Sequence, residues 1–249
     1  MFIRTENFET FRMYYPVITI LVAIHVLIFF WINLLPGGEW IYYHGVGLNL
    51  AVHNGDYWRL VTPIFMHVGF MHVIFNSVSL ILFGPPLEQM LGKFRFILLY
   101  LSSGIIANIA TYYVGGLDYY AHLGASGAIF GLFGAYFYIV LNRKDLIDQT
   151  SSQMIMTILV IGLVMTFVNP NINIYAHIFG AIGGALMIPL ILIGVKPYQR
   201  YQTYTDPNEV SFNPNRWQKK SFRRFKFGKI FWVVLGVLVL LGIISRFFF

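Results

Sequence analysis

The sequence predicts an all-α polytopic membrane protein, a six-helix bundle followed by one more transmembrane helix. Three observations carry that expectation: the composition, the lengths of the charge-free intervals, and the placement of lysine and arginine. Of 249 residues, 57% are hydrophobic and 11% are charged, against about 45–50% and about 25% in an average soluble domain. With a mean hydropathy of +0.67, there is more apolar surface than soluble packing can hide. A disordered chain, a fibrous protein and a secreted disulfide scaffold are excluded. The chain has no cysteine, which removes thiolate catalysis, cysteine-ligated metals and disulfides.

A spanning helix needs about 20 uncharged residues, because a bare charge in hydrocarbon costs about 2.5–3.5 kcal/mol. Charge-free intervals lie between Arg12 and Glu39, Arg59 and Glu88, Arg95 and Asp118, Asp118 and Arg143, Asp148 and Lys196, and Lys229 and Arg246. The fifth is long enough for two crossings and is broken at Asn169-Pro170-Asn171-Ile172-Asn173, where proline and asparagine favour a turn. The expected spans are 13–35, 61–83, 95–115, 124–142, 152–168, 174–195 and 230–248. The N-terminal apolar run exceeds 20 residues and is followed by no small-residue cleavage site, so it reads as a retained first span. The chain then divides into an N-terminal segment 1–12, a six-span core 13–195, a basic linker 196–229 and a seventh transmembrane helix 230–249.

Orientation follows from lysine and arginine in the loops. With the N-terminus in the cytoplasm, fifteen of the seventeen basic residues lie inside, and only Arg59 and Arg246 lie outside. The C-terminus is then outside, and the absence of a transit peptide points to a bacterial plasma membrane. Residues 36–58 carry Trp40, Tyr42, Tyr43, His44, Tyr57 and Trp58 among glycines, as suits an outer loop at headgroup level. The linker 196–229 carries nine basic and two acidic residues interleaved with Trp217, Phe222, Phe225 and Phe227, a pattern expected to adhere to anionic lipid. Nucleic acid is not an expected partner, because positive-inside topology already accounts for the net charge of +7. Oligomeric state is not encoded in any pattern of the chain.

Polar side chains inside spans are costly and mark function. Here they are His25, Asn33, His67, His72, Asn76, Ser102, Ser103, Asn108, Ser126 and His177. At about 1.5 Å per residue, Ser126 stands roughly 24 Å above Asn142, His177 roughly 28 Å above Lys196, and His72 and Asn76 roughly 24 and 18 Å above Glu88. These four therefore share one layer, a modest distance below the outer surface. Gly124, Gly127, Gly131 and Gly134 recur at spacings of three and four, and Gly180, Gly183 and Gly184 follow His177 in the same manner. Small residues at such spacing let two helix backbones approach closely, which would bring Ser126 within reach of His177.

Ser126 lies in the first turn of its helix, where free N–H groups and the positive dipole end stabilise an oxyanion. His72 and Asn76, four residues apart, share a helix face and can supply side-chain donors. These are the parts of a serine hydrolase: nucleophile, general base and oxyanion hole. All ten acidic residues fall in loops or at span ends, Glu88 among them, so a Ser–His dyad is expected, its imidazole oriented by packing. Phe130, four residues after Ser126, is the ring expected to stack against it.

The strings Gly124-Ala125-Ser126-Gly127, Ala176-His177-Ile178-Phe179-Gly180 and His67-x4-His72-x3-Asn76, with Tyr57-Trp58-Arg59 at the end of the long loop, resemble the rhomboid intramembrane serine proteases over residues 11 to about 195. The resemblance implies a rhomboid-like six-helix core and hydrolysis of peptide bonds in or beside the transmembrane segments of other proteins. It implies Ser126 as nucleophile and His177 as base, with His72, Asn76 and the Ser126 N–H as oxyanion donors. Gly124, Gly127, Gly180, His67, Trp58, Arg59 and Phe130 would support them, and residues 152–168 would form a substrate gate. No metal or cofactor is implied. The chain departs from the family pattern at Phe130, where a tyrosine is frequent, and at Gly84-Pro85-Pro86, where Gly-Gly is frequent before Glu88. Two rival readings remain at this point: an inactive rhomboid-like protein that binds transmembrane helices, and a haem protein with His72 and His177 as axial ligands.

Overall fold

The computed structural model describes Phe2 and residues 6–195; the linker 196–229 and the seventh span 230–249 lie outside the described residues. A short helix α1 (Phe8–Tyr14) precedes α2 (Pro16–Leu34), and the connecting segment after it folds into α3 (Gly38–Gly45), α4 (Asn49–His53) and the 3-10 turns η1 (Tyr57–Leu60) and η2 (Thr62–Phe65). Five more helices follow: α5 (Phe70–Leu91), α6 (Lys93–Gly115), α7 (Ser126–Asn142), α8 (Gln149–Val168) and α9 (Ile174–Ile191). Five of these, α2, α5, α6, α8 and α9, are long and apolar enough to cross a membrane, and α7 is a shorter apolar helix. The fold is an all-helical, multi-pass bundle, as the sequence predicts.

The second span differs from its expected limits of 61–83. The helix starts at Phe70 and continues through Pro85 and Pro86 to Leu91, so His67 precedes it and Glu88 lies inside it. Glu88 is not in a loop. Its two carboxylate oxygens accept from the N–H groups of Val17 and Ile18 at 3.0 Å each, and the side chain is buried. These are N–H groups of the first turn of α2, which have no intrahelical partner and find none in hydrocarbon. A carboxylate satisfied in this way is compatible with the protein interior, which is why a rule based on bare charge ends the span too early. Pro16 opens α2, where its missing N–H costs nothing.

The core is a crossing of α7 with α9, with α6 packed against both. No side chain fits between the first two. A Cβ on Gly180 would strike the carbonyl oxygen of Gly127, one on Gly184 that of Gly131, and one on Gly134 that of Ala181. The connecting segment between α2 and α5 is held differently, through backbone carbonyls. Buried Arg59 donates to Asp56 Oδ2, Tyr43 O and Val46 O at 2.8 Å each, Asn49 Nδ2 to Thr111 O at 3.0 Å and Gly116 O at 2.7 Å, and Asn108 Nδ2 to Leu60 O at 2.9 Å. A reciprocal pair of bonds at 2.9 Å joins Gly47 to His122, linking this segment to the loop that precedes α7.

Three outcomes are expected. Gly180→Ala, which must displace backbone, should lower stability in detergent by about 1–3 kcal/mol, whereas Leu186→Ala, 70% exposed, should leave the unfolding midpoint nearly unchanged. Glu88→Ala should cost about 1–3 kcal/mol by stranding two buried donors, and Glu88→Gln, which keeps one acceptor, should cost less. Burial holds the His122 imidazole down at about 4, below an unfolded value of about 6.5. Between those values the unfolded chain binds a proton that the folded one does not, so stability that is full above the unfolded value is lost as pH falls toward the folded one. The loss reaches about 3 kcal/mol. Melting curves recorded across that range should flatten in His122→Leu relative to wild type; an identical acid-side drop would contradict this role.

Candidate active site

The N-terminal ends of α5, α7 and α9 carry the polar layer, because each helix begins with a residue suited to starting it there. Gly69 (φ +86°) precedes α5 and Gly124 (φ +123°) precedes α7, a backbone region that favours glycine. Asn173 caps α9, its side chain accepting from Ala176 N–H at 3.0 Å. Gly124 is constrained a second time: a Cβ there would lie 2.6 Å from His72 Nε2. His72 therefore rests directly on the turn that delivers Ser126.

Ser126 is the first residue of α7. Gly124 N–H donates to Pro63 O at 2.9 Å, and the first bond into the helix is Ile129 N–H to Ala125 O at 3.0 Å. Ala125 N–H donates to His67 Nε2 at 3.3 Å. Among the described residues, the N–H groups of Ser126, Gly127 and Ala128 have no backbone acceptor, so the positive end of α7 is open beside the serine hydroxyl. His67 uses the fourth donor of that end and so fixes the turn from outside the span.

His177, in the first turn of α9, is buried. Its ring stacks on Phe130 with centroids 4.0 Å apart and planes at 21°. The glycine crossing sets this level, because Gly127 faces Ala176, whose carbonyl oxygen would lie 3.5 Å from a Cβ at 127. Ser126 and His177 thus sit on adjoining helices at the same height, although no hydrogen bond joins them in this structure. Catalytic hydrogen bonds often tighten only when substrate is bound.

The imidazole has a partner that the sequence reading missed. Thr166 Oγ lies 2.7 Å from His177 Nδ1 and 2.7 Å from the carbonyl oxygen of Gly162, one turn earlier in α8. Orientation by packing alone is therefore corrected: packing against Phe130 is joined by a hydroxyl. A signal was present, since Thr166 is a polar residue near the C-terminal end of a span, the same level as His177 near the start of the next.

Asn76 Nδ2 donates to His72 O at 3.0 Å, which places the amide one turn below His72. Behind them, the rings of His72 and His67 lie 5.0 Å apart and those of His67 and His25 lie 4.9 Å apart, with His25 Nε2 3.3 Å from Tyr100 Oη. Trp58 and Arg59 stand apart from this group. Trp58 Nε1–H donates to His44 O at 2.9 Å, and Arg59 organises the connecting segment between α2 and α5.

Residues 54–194 match the Rhomboid domain. The chain is 52% identical to the YdcA protein of Bacillus subtilis (strain 168) over 189 residues, which are 75% of this chain and 94% of that protein. It is 37% identical to the rhomboid protease GluP of the same organism over 166 residues, 66% of this chain and 32% of that protein. It is 28% identical to RHOMBOID-like protein 1 of Arabidopsis thaliana over 198 residues, 78% of this chain and 48% of that protein. With more than half its length matching that domain, the chain belongs to the rhomboid family of intramembrane proteases.

Proposed function

We propose that this protein is a metal-independent serine endopeptidase that hydrolyses peptide bonds in or next to transmembrane segments of other membrane proteins. The observation that carries the reading is the pairing of Ser126, at an open helix N-terminus, with a buried imidazole at the same level on the helix packed closest to it. Ser126 Oγ attacks the scissile carbonyl carbon while its proton passes to His177 Nε2. The oxyanion is met by the Ser126 N–H and by side-chain donors from His72 and Asn76. The imidazolium then gives its proton to the leaving amine as the C–N bond breaks. Water, deprotonated by the same nitrogen, releases the acyl group and restores the serine.

GluP is a rhomboid protease by name, which supports carrying this activity to the present chain. The reading of the chain as an inactive relative that only holds transmembrane helices has against it the presence of both Ser126 and His177. The positive-inside pattern supports an N-terminus in the cytoplasm of a bacterial plasma membrane and a site near the outer surface, with the linker 196–229 against anionic lipid.

Detergent-solubilised protein should be labelled by a fluorophosphonate, and Ser126→Ala and His177→Ala should each abolish labelling. Labelling that survives in Ser126→Ala would refute the nucleophile. Because protonation of His177 removes the acceptor, the labelling rate of the wild type should fall on the acid side of its pH profile; a rate that stays flat while the imidazole charges would refute the base.

A further inference from the structure

The hydroxyl group of Thr166 has one hydrogen and two neighbours at hydrogen-bond distance. Gly162 O, at 2.7 Å, can only accept. His177 Nδ1, also at 2.7 Å, donates or accepts according to its tautomer. If the hydroxyl hydrogen pointed to Nδ1, two oxygens would face each other at 2.7 Å with no proton between them, in a site where Thr166 is fully buried. The carbonyl already receives the Thr166 N–H within α8, so the cost of that arrangement is the repulsion between two oxygens in contact with no hydrogen between them. With the hydrogen on the Gly162 side, every group is satisfied: Thr166 donates to the carbonyl and accepts from Nδ1–H. That chain has one consequence for the other ring nitrogen. Nε2 carries no hydrogen and presents its lone pair.

We propose that Thr166 is a positioning residue that holds His177 in its Nδ1–H tautomer and so keeps Nε2 ready to take the proton of Ser126. The inference rests on the dyad described above. Nδ1 keeps its hydrogen in both the neutral ring and the imidazolium, so the same bond persists when His177 charges. The hydroxyl thus does, without charge, the orienting work that a carboxylate does in a triad. Gly162 serves twice in this arrangement, since a Cβ there would lie 3.1 Å from the Phe130 ring. α8 therefore abuts the stacked pair of Phe130 and His177 with the same turn that anchors the hydroxyl.

The test compares Thr166→Val, which keeps the shape and loses the oxygen, with Thr166→Ser, which keeps the oxygen. The readout is fluorophosphonate labelling of solubilised protein, resolved into the maximal inactivation rate and the half-saturating concentration. Thr166→Val should lower the rate about tenfold, the equivalent of one neutral hydrogen bond, and leave the half-saturating concentration within about twofold. Thr166→Ser should recover most of the rate. Nitrogen-15 spectra of histidine-labelled wild type and His177→Gln, compared at neutral pH, should assign a hydrogen to Nδ1 and none to Nε2 of His177. A hydrogen found on Nε2, or a Thr166→Val rate equal to wild type, overturns the proposal. The nitrogen spectrum needs no activity, so a failed nucleophile assignment, seen as labelling of Ser126→Ala, is told apart from a failed tautomer assignment even if the valine variant does not fold.

Discussion

Two helix backbones touch where α7 crosses α9, and the relative height of Ser126 and His177 is set by that contact. Gly127, Gly131 and Gly134 face Ala176, Gly180, Ala181 and Gly184 with no room for an intervening side chain. Within a bilayer the hydrophobic effect does not press helices together, so association depends on close van der Waals packing. The cost is backbone freedom, and the gain is a fixed register between two helix N-termini. Gly127 meeting Ala176 brings the residue before the first and the residue after the second, Ser126 and His177, to one level.

The rest of the molecule answers a second constraint, that no backbone N–H or C=O can be left for lipid to satisfy. Different side chains meet it at different places. Asn173 caps α9, Glu88 serves α2 from another helix, Arg59 gathers carbonyls of the segment between α2 and α5, Asn49 gathers carbonyls at the end of α6, and His67 takes one N–H from the entry to α7. Several helix starts, those of α5, α6 and α7 among them, have no side-chain cap, and at α7 the open N–H groups lie beside the Ser126 hydroxyl.

The helices were legible in the sequence because charge is so costly in hydrocarbon that its gaps mark the spans. The rule failed once, at Glu88, where the carboxylate is held by amides of a helix some seventy residues away and nothing local reveals it. The segment between α2 and α5 was readable as aromatic and polar, yet its small helices depend on Arg59 reaching main-chain carbonyls, which leave no pattern of residue types. Of the site, the layer of Ser126, His177, His72 and Asn76 could be reached from helical rise alone, and the face shared by Ser126 and Phe130 from a spacing of four. Thr166 was not reached. Threonine in a span most often bonds back to its own helix, and Thr166 does so; that its hydroxyl also lies at hydrogen-bond distance from an imidazole on a neighbouring helix is a fact of packing.

The bond from Glu88 to α2 also bears on how such a chain is made. Val17 and Ile18 emerge from the ribosome some seventy residues before the carboxylate that will receive their amides, so these bonds form only after α5 has followed α2. The leading helix is thus incomplete at its starting end until a later one arrives, and its final seating belongs to the closure of that pair. Biogenesis is thereby given a direction, in which the first crossing is provisional and the second makes it permanent.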